Sequence, residues 1–333
     1  MAGHALLSPS SAHRWIPCPG SIALSAGHSD GGNIHAATGT VAHLISEKAL
    51  TDGGDTSAYI GESHTIVNEE DASESWTIEV DEEMAGYTQV YVDYVRRRAA
   101  ELGCEIGIEY RVELSDVLAV PDQGGTADAL LIDDMLSATL EVADLKYGFR
   151  QVEAARNPQL MLYALGALEA AEAAGSVFET VIGTIVQPRL DQIKSFEMTP
   201  AELREFGKEA QQAALKAMRA IEHPDPVSRD FHANFLVPGE KQCQWCPRKA
   251  TCPALASFVN TQVFDQFDDV SEPTVKPVPE GAATLKLYHD RVALIQDWCK
   301  AVTAEFYAHV ERGEMPGFKL VPGKRGNRAW KDE

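Results

Sequence analysis

The stretch that decides the fold is Gly124-Gly125-Thr126-Ala127-Asp128, then Leu140-Glu141-Val142-Ala143-Asp144-Leu145-Lys146, then Asn157-Pro158-Gln159-Leu160-Met161-Leu162-Tyr163. Residues 140–146 alternate as a strand does, so Asp144 and Lys146 share a face with two apolar residues. A buried charged pair at that place needs a partner such as a metal ion or a phosphate. Gln159 and Tyr163 are one turn apart at the head of a predicted helix and face the same side.

These residue types suit metal-dependent phosphodiester cleavage. Asp128 and Asp144 can hold a divalent cation, Mg2+ or Mn2+, through hard oxygen ligands. Such a cation polarises the scissile phosphate and lowers the pKa of a bound water. Lys146 can orient or deprotonate that water and balance the charge of the phosphorane. An Asp-x-Lys tripeptide alone is commonplace on surface strands, and the order and spacing of the whole stretch favour the site.

The stretch resembles the PD-(D/E)XK nuclease superfamily, with Asp128 as the first acid and Asp144-x-Lys146 as the second signature. Gln159-xxx-Tyr163 looks like the QxxxY motif of its RecB-like exonuclease branch, whose Gln and Tyr face the site. The upstream helix Gly39-Thr40-xx-His43 resembles the first motif of that branch, which implies that His43 helps to bind the metal; His35 is a weaker candidate.

The resemblance implies an α/β fold, a restriction-endonuclease-like mixed β-sheet core flanked by helices. The predicted segments are an N-terminal segment at 1–30, a nuclease core at 31–225, a three-cysteine region at 226–262, a linker at 263–281, and a C-terminal helix with a basic tail at 282–333. Residues 51–85, rich in Gly, Asp, Glu and Ser, are predicted to be loop and exposed surface.

Four cysteines form a second constellation. Cys243, Cys246 and Cys252 supply three thiolates in a Cys-x2-Cys-x5-Cys pattern, which suits an iron–sulfur cluster or zinc, and Cys18 is the expected fourth ligand. The alternative for a lone cysteine is a small buried hydrophobe. The arrangement of one cysteine upstream and three downstream of the nuclease core resembles the 4Fe–4S clasp of AddB-type and CRISPR-associated RecB-like exonucleases. The resemblance implies a cluster that joins the N-terminal and C-terminal parts, and Zn2+ is the alternative metal.

Composition bounds the class of protein. The 333 residues carry a net charge of −21, which argues against a generic nucleic-acid binder but allows a nuclease whose cations are confined to one groove. Arg150 and Arg156, in a local basic cluster, are the predicted DNA-binding residues. No apolar run is long enough to cross a bilayer and no signal peptide is recognised, so a cytoplasmic location is expected.

Two further predictions concern the strand before Asp128. Ile106, Ile108, Tyr110 and Val112 alternate with polar residues and are expected to share a face. Glu109 or Glu113 could add an acid to the site, although an exposed acidic face is the favoured interpretation for each.

The opening Leu7-to-Trp15 segment and the Gly-Thr-Ala-Asp block, among other stretches, look like a phage- and prophage-encoded family of RecB-like proteins. This resemblance implies a DNA exonuclease of phage recombination or replication, acting beside a single-strand-annealing or single-strand-binding protein. A catalytically silent module that binds DNA ends or recruits a partner, and a zinc-stabilised adaptor, are the alternatives. Whether the chain forms a homo-oligomer is left open.

Overall fold

The computed structural model describes residues 5–28, 32–68, 73–226, 228–264, 282–318 and 320. The chain divides into two compact units, Met1–Val237 and Pro238–Glu333. The strands are β1 (Ser63–Val67), β2 (Ser75–Glu79), β3 (Ile106–Glu113), β4 (Gly124–Asp133), β5 (Thr139–Leu145), β6 (Thr180–Gln187) and β7 (Gln192–Met198). The α-helices are α1 (Ala12–Trp15), α2 (Gly20–Leu24), α3 (Ile34–Asp52), α4 (Glu82–Leu102), α5 (Ser115–Leu118), α6 (Pro158–Ala173), α7 (Pro200–Ile221), α8 (Arg229–Phe235), α9 (Glu240–Gln244), α10 (Pro253–Phe264) and α11 (Ala282–Glu311).

A five-stranded mixed sheet of order β3-β4-β5-β6-β7 forms the centre of the first unit. Only β5 and β6 run parallel in it, and α6 supplies the crossover that a parallel pair requires. Every residue of β5 is buried, as expected of a central strand covered on both faces. The sheet between helices confirms the α/β prediction and places Asp144 near the carboxyl end of the central strand.

Helices cover both faces of this sheet. On one face Leu140 and Val142 of β5 pack in a core with residues of α6 and α7. On the other face Ala143 and Leu145 pack in a second core with residues of α3 and α4. The sequence alternates because each face of β5 meets a different helical layer.

Helix caps fix where the two long helices of the first face begin. The Asn157 side chain accepts hydrogen bonds from the backbone N–H groups of Gln159 and Leu160, and Pro158 occupies the first turn. Thr199 and Glu202 form a reciprocal capping box at the start of α7. The first cap determines the orientation of Gln159, because it defines the first turn of α6.

The prediction that residues 51–85 are loop is wrong in part. They contain β1 and β2, which pair antiparallel from Ser63↔Glu79 to Val67↔Ser75. The pair is half exposed, with alternating intermediate and exposed residues in β1, so its composition is that of a polar surface. Its strand signal is the run of β-branched residues Thr65-Ile66-Val67, which the surrounding acidic residues obscure.

The prediction of a single apolar face on β3 is also wrong. Ile106 and Ile108 pack against the second core, whereas Val112 lies in the first core. Glu109, between them, has a backbone φ of 44°, in the left-handed region. Because this conformation breaks the regular pleat, the side chains after Glu109 change faces.

In the second unit α11 confirms the long helix predicted from residue 284. The predicted linker lies outside the described residues from 265 onward, and the basic tail lies outside them at 319 and from 321 onward. None of the helices within the described residues is sufficiently long and apolar to cross a membrane.

Candidate active site

Two carboxylates, one from β3 and one from β4, meet an imidazole from α3. Glu109 on β3 lies across from Asp128 on β4, between the pairs Ile108↔Ala129 and Tyr110↔Ala127. His43 Nδ1 lies 3.2 Å from Asp128 Oδ2. One ligand atom from each of His43, Glu109 and Asp128 falls within 4.8 Å of the others. We call these three residues the acid–imidazole trio.

The second part of the site is centred on Asp144, whose side chain is 1% exposed. Lys146 Nζ lies 2.8 Å from Asp144 Oδ2, and Gln159 Nε2 donates a hydrogen bond of 3.0 Å to Asp144 Oδ1. Gln159 Oε1 in turn accepts a 3.0 Å hydrogen bond from Lys146 Nζ. The amide of Gln159 therefore fixes both members of the charged pair.

A backbone hydrogen bond ties Asp128 to the central strand. Asp128 Oδ2 accepts it from the Leu145 N–H at 2.8 Å, which brings the Asp128 carboxylate beside the backbone between Asp144 and Lys146. The trio and the Asp144 pair therefore lie next to each other. Three elements supply their side chains: α3, the sheet and the first turn of α6.

Two tyrosines enclose the site. Tyr163 on α6 is buried, and a Cβ built at Gly125 would come within 2.9 Å of its ring, so glycine is needed for this close packing. Burial and the nearby Asp144 raise the pKa of Tyr163, so its phenol stays neutral. Tyr91 on α4 donates a 3.3 Å hydrogen bond to the Ala143 carbonyl. The sequence did not predict the place of Tyr91 beside the site.

Crowded negative charge sets the protonation of the site. Burial, followed by the charge of Asp128, raises the pKa of Glu109 to about 7. Burial also raises the pKa of Asp144, against the attraction of Lys146. Burial opposes the ionisation of Asp128, but the His43 charge and hydrogen bond outweigh it and lower the Asp128 pKa.

The nearby aspartates raise the pKa of both basic groups of the site, Lys146 and His43. Burial lowers the pKa of Lys146, yet the charges of Asp144 and Asp128 more than offset it, and the net shift is upward. The pKa of His43 is likewise raised on balance, because Asp128 outweighs burial. In both cases a neighbouring aspartate favours the protonated form of the base.

The donor set fits a divalent cation. Asp144 Oδ2 is buried and pairs with Lys146 Nζ at 2.8 Å. A carboxylate oxygen has more than one acceptor site, so it can contact a cation as well. Carboxylate oxygens suit Mg2+ or Mn2+, and an imidazole among them shifts the preference towards Mn2+.

The structure brings together every residue predicted for the catalytic site. The predicted metal ligands were His43, Asp128 and Asp144; Glu109 joins the first two, while Asp144 contacts Lys146 and Gln159. The favoured interpretation of Glu109 as an exposed acid is wrong. Strand register is the signal that could have found it, because Glu109 lies across from Asp128.

The remaining predicted residues lie on the surface or elsewhere in the chain. Glu113 is largely exposed and pairs with Arg111. Arg150 and Arg156 are exposed, and their role in binding DNA stays a prediction.

The four predicted cluster cysteines are each 8% exposed, whereas Cys104 is partly buried and Cys299 is exposed. All six lie in the described part of the chain, and none forms a disulfide. In the first unit Cys18 Sγ accepts a 3.3 Å hydrogen bond from the Val237 N–H. In the second unit Cys243 Sγ accepts a 3.4 Å bond from the Gly239 N–H. Backbone N–H donors of this kind stabilise metal-bound thiolates.

One comparison with known proteins gives a match over nearly the whole chain. A family model described as "Protein of unknown function (DUF2800)" matches residues 4–333.

Proposed function

The chain belongs to the DUF2800 family, and from its site we propose that it is a metal-dependent deoxyribonuclease that degrades DNA from its ends. The observation that carries the proposal is the acid–imidazole trio beside the Asp144–Lys146 pair. A partly buried lysine directly after the strand that carries a buried carboxylate, with three further metal-ligating groups beside them, has the donor types that phosphodiester hydrolysis requires.

The roles of the residues follow from their contacts. Asp128, Glu109 and Asp144, with His43, would hold Mg2+ or Mn2+, which when bound supplies Lewis-acid activation of the phosphate and a more acidic water. Lys146 is held as a cation, so its part is to orient the attacking water and to balance the negative charge that develops on the phosphate. Gln159 positions Lys146 and Asp144 for this task. Tyr163, neutral and buried, packs against Gly125 on the same face.

The test uses anaerobically purified protein on linear DNA labelled at either end, with closed circular DNA in parallel. Wild type is expected to release label from linear DNA with Mn2+ or Mg2+ but not with EDTA, and to spare the circle. Lys146→Ala is expected to lose about 10²- to 10⁴-fold in rate. Lys208→Ala, which removes an exposed lysine of α7, is the matched control and should keep the wild-type rate.

Equal degradation by Lys146→Ala and wild type would contradict the assignment and point to a contaminant. The competing function is a silent module that binds DNA ends or recruits a recombination partner, and the net charge of −21 favours a small DNA footprint of that kind. It would be supported if the protein bound DNA ends and Mn2+ but cut neither substrate. A single-strand-annealing or single-strand-binding partner remains part of the proposal under both functions.

We propose in addition that the buried cysteines hold a 4Fe–4S cluster, with zinc as the alternative. Three thiolates from one short segment, two of them three residues apart, form a donor set of soft ligands. That Cys18 supplies the fourth ligand stays a prediction from the sequence.

A further inference from the structure

A cation enclosed by aromatic rings lies near the carboxyl ends of β5 and β6. Arg189, in the short 3-10 helix Pro188–Leu190, places its guanidinium carbon 3.8 Å from the ring centre of Phe149 and 5.0 Å from that of Tyr147. The ring of Tyr87 from α4 lies at 5.9 Å. We call Arg189 and these three rings the Phe149 platform.

The platform lies at the same edge of the sheet as the catalytic lysine. Parallel strands end at the same edge, and the Lys146 N–H donates a 2.9 Å hydrogen bond to the Val186 carbonyl. Tyr147 is the next residue after Lys146, and Arg189 follows Val186 by three residues. A strand whose phosphate reaches Lys146 would therefore pass close to this platform.

The rings, more than ion pairs, hold the arginine. Its Nε is buried with no hydrogen-bond partner among the described residues, and its ion pair is a 3.3 Å contact to the mostly exposed Glu83. Tyr147 is 6% exposed, whereas Phe149 is 64% exposed. A single exposed phenylalanine is ordinary on a protein surface. This one is stacked on a planar cation, which fixes one face and leaves the rest of the ring to solvent.

We propose that the Phe149 platform stacks an unpaired base of the DNA end, so that the substrate class is DNA with a single-stranded or frayed end. The inference rests on the proposed nuclease function for the identity of its ligand. Bases in a duplex have their faces covered, whereas unpaired bases stack readily on aromatic rings. Stacking needs few phosphate contacts, which suits a chain with a net charge of −21.

The test measures binding by fluorescence anisotropy with Ca2+, using a single-stranded oligonucleotide and a blunt duplex. Phe149→Ala is expected to weaken single-strand binding about 5- to 150-fold, equivalent to the 1–3 kcal/mol of one stacked base, and to leave duplex binding unchanged. Phe149→Tyr should bind the single strand as wild type does. Arg189→Lys keeps the positive charge but loses the planar guanidinium, so it should also weaken single-strand binding. The matched control is Leu136→Ala, an 88% exposed side chain just before the opposite end of β5.

A 2-aminopurine base at either end of the oligonucleotide reports stacking directly. Its fluorescence is expected to be quenched by wild type and Phe149→Tyr, and not by Phe149→Ala. If Phe149→Ala binds the single strand and quenches 2-aminopurine as strongly as wild type does, the proposed stacking on the Phe149 platform is wrong, even if the protein cuts DNA. Loss of single-strand binding in Phe149→Ala would support the platform even if no cleavage is found, so the two proposals fail separately.

Discussion

Glu109 combines a left-handed backbone with a carboxyl pKa that burial and the charge of Asp128 raise to about 7. The ordinary pKa of this group is 4.5, so the folded protein keeps a proton that the unfolded chain releases between pH 4.5 and 7. The stability associated with that proton is present below pH 4.5 and is lost as the pH rises through 7.

We expect Glu109→Gln to melt at a higher temperature than wild type at pH 8 in EDTA, with the two proteins converging towards pH 4. Thermal melts across this range measure the difference, and Glu113→Gln, on the same strand but largely exposed, is the control. A difference between wild type and Glu109→Gln that does not change with pH would show that the Glu109 pKa is not raised. The variant should also bind Mn2+ more weakly, because one oxygen ligand of the trio has lost its charge.

Gln159 acts through its neighbours, because its amide donates to Asp144 and accepts from Lys146. Gln159→Ala is expected to lower the cleavage rate 10- to 100-fold without changing the melting temperature by more than a few degrees. Gln159→Glu should cleave no faster than Gln159→Ala, because it replaces the amide that donates to Asp144 with a second carboxylate. Gln151→Ala, on the loop before α6, is the control. Full activity in Gln159→Ala would remove Gln159 from the positioning machinery.

At the scale of elements, the close packing of α6 on β3 holds Gln159 and Tyr163 over the sheet. A Cβ at Gly166 would clash with Val112 Cγ1 and lie 2.8 Å from the Glu113 carbonyl oxygen, so Gly166→Ala must displace the helix or the strand. We expect a loss of about 1–3 kcal/mol in the free energy of unfolding by urea denaturation. Gly39→Ala in α3 meets no atom within 4 Å and should instead stabilise by about 0.5–1 kcal/mol. Equal effects of the two substitutions would contradict the packing.

Local signals explain why so much of this architecture follows from sequence. Asn157-Pro158 and Thr199-Pro200 mark helix starts through their own side chains, and β5 shows the alternating pattern of a strand. The left-handed backbone at Glu109 has no such signal, because it arises from the packing of β3 against β4. The period of the sequence therefore could not predict that the side chains of β3 change faces after Glu109, or that Glu109 belongs to the trio.

At the scale of the whole molecule, an acidic chain needs contacts with DNA that do not depend on many phosphates. The trio would offer metal-mediated contact to one phosphate, and the Phe149 platform would offer a ring to one base. Both features confine recognition to the last nucleotides of a strand, which is what an enzyme acting at DNA ends requires. A chain that contacts few phosphates is not expected to track processively along a long duplex.

The cysteines allow a prediction that is independent of the nuclease site. Protein purified without oxygen is expected to be brown, to absorb visible light and to contain iron, because four buried thiolates suit a 4Fe–4S cluster. Cys246→Ser and Cys18→Ser should lose iron and colour, whereas Cys104→Ser and Cys299→Ser should keep both. Iron retained in Cys18→Ser would exclude Cys18 as a ligand, and colourless protein containing zinc would replace the cluster with the zinc alternative.

Dialysis against EDTA should abolish cleavage while the colour remains, since the cluster and the catalytic cation occupy different donor sets.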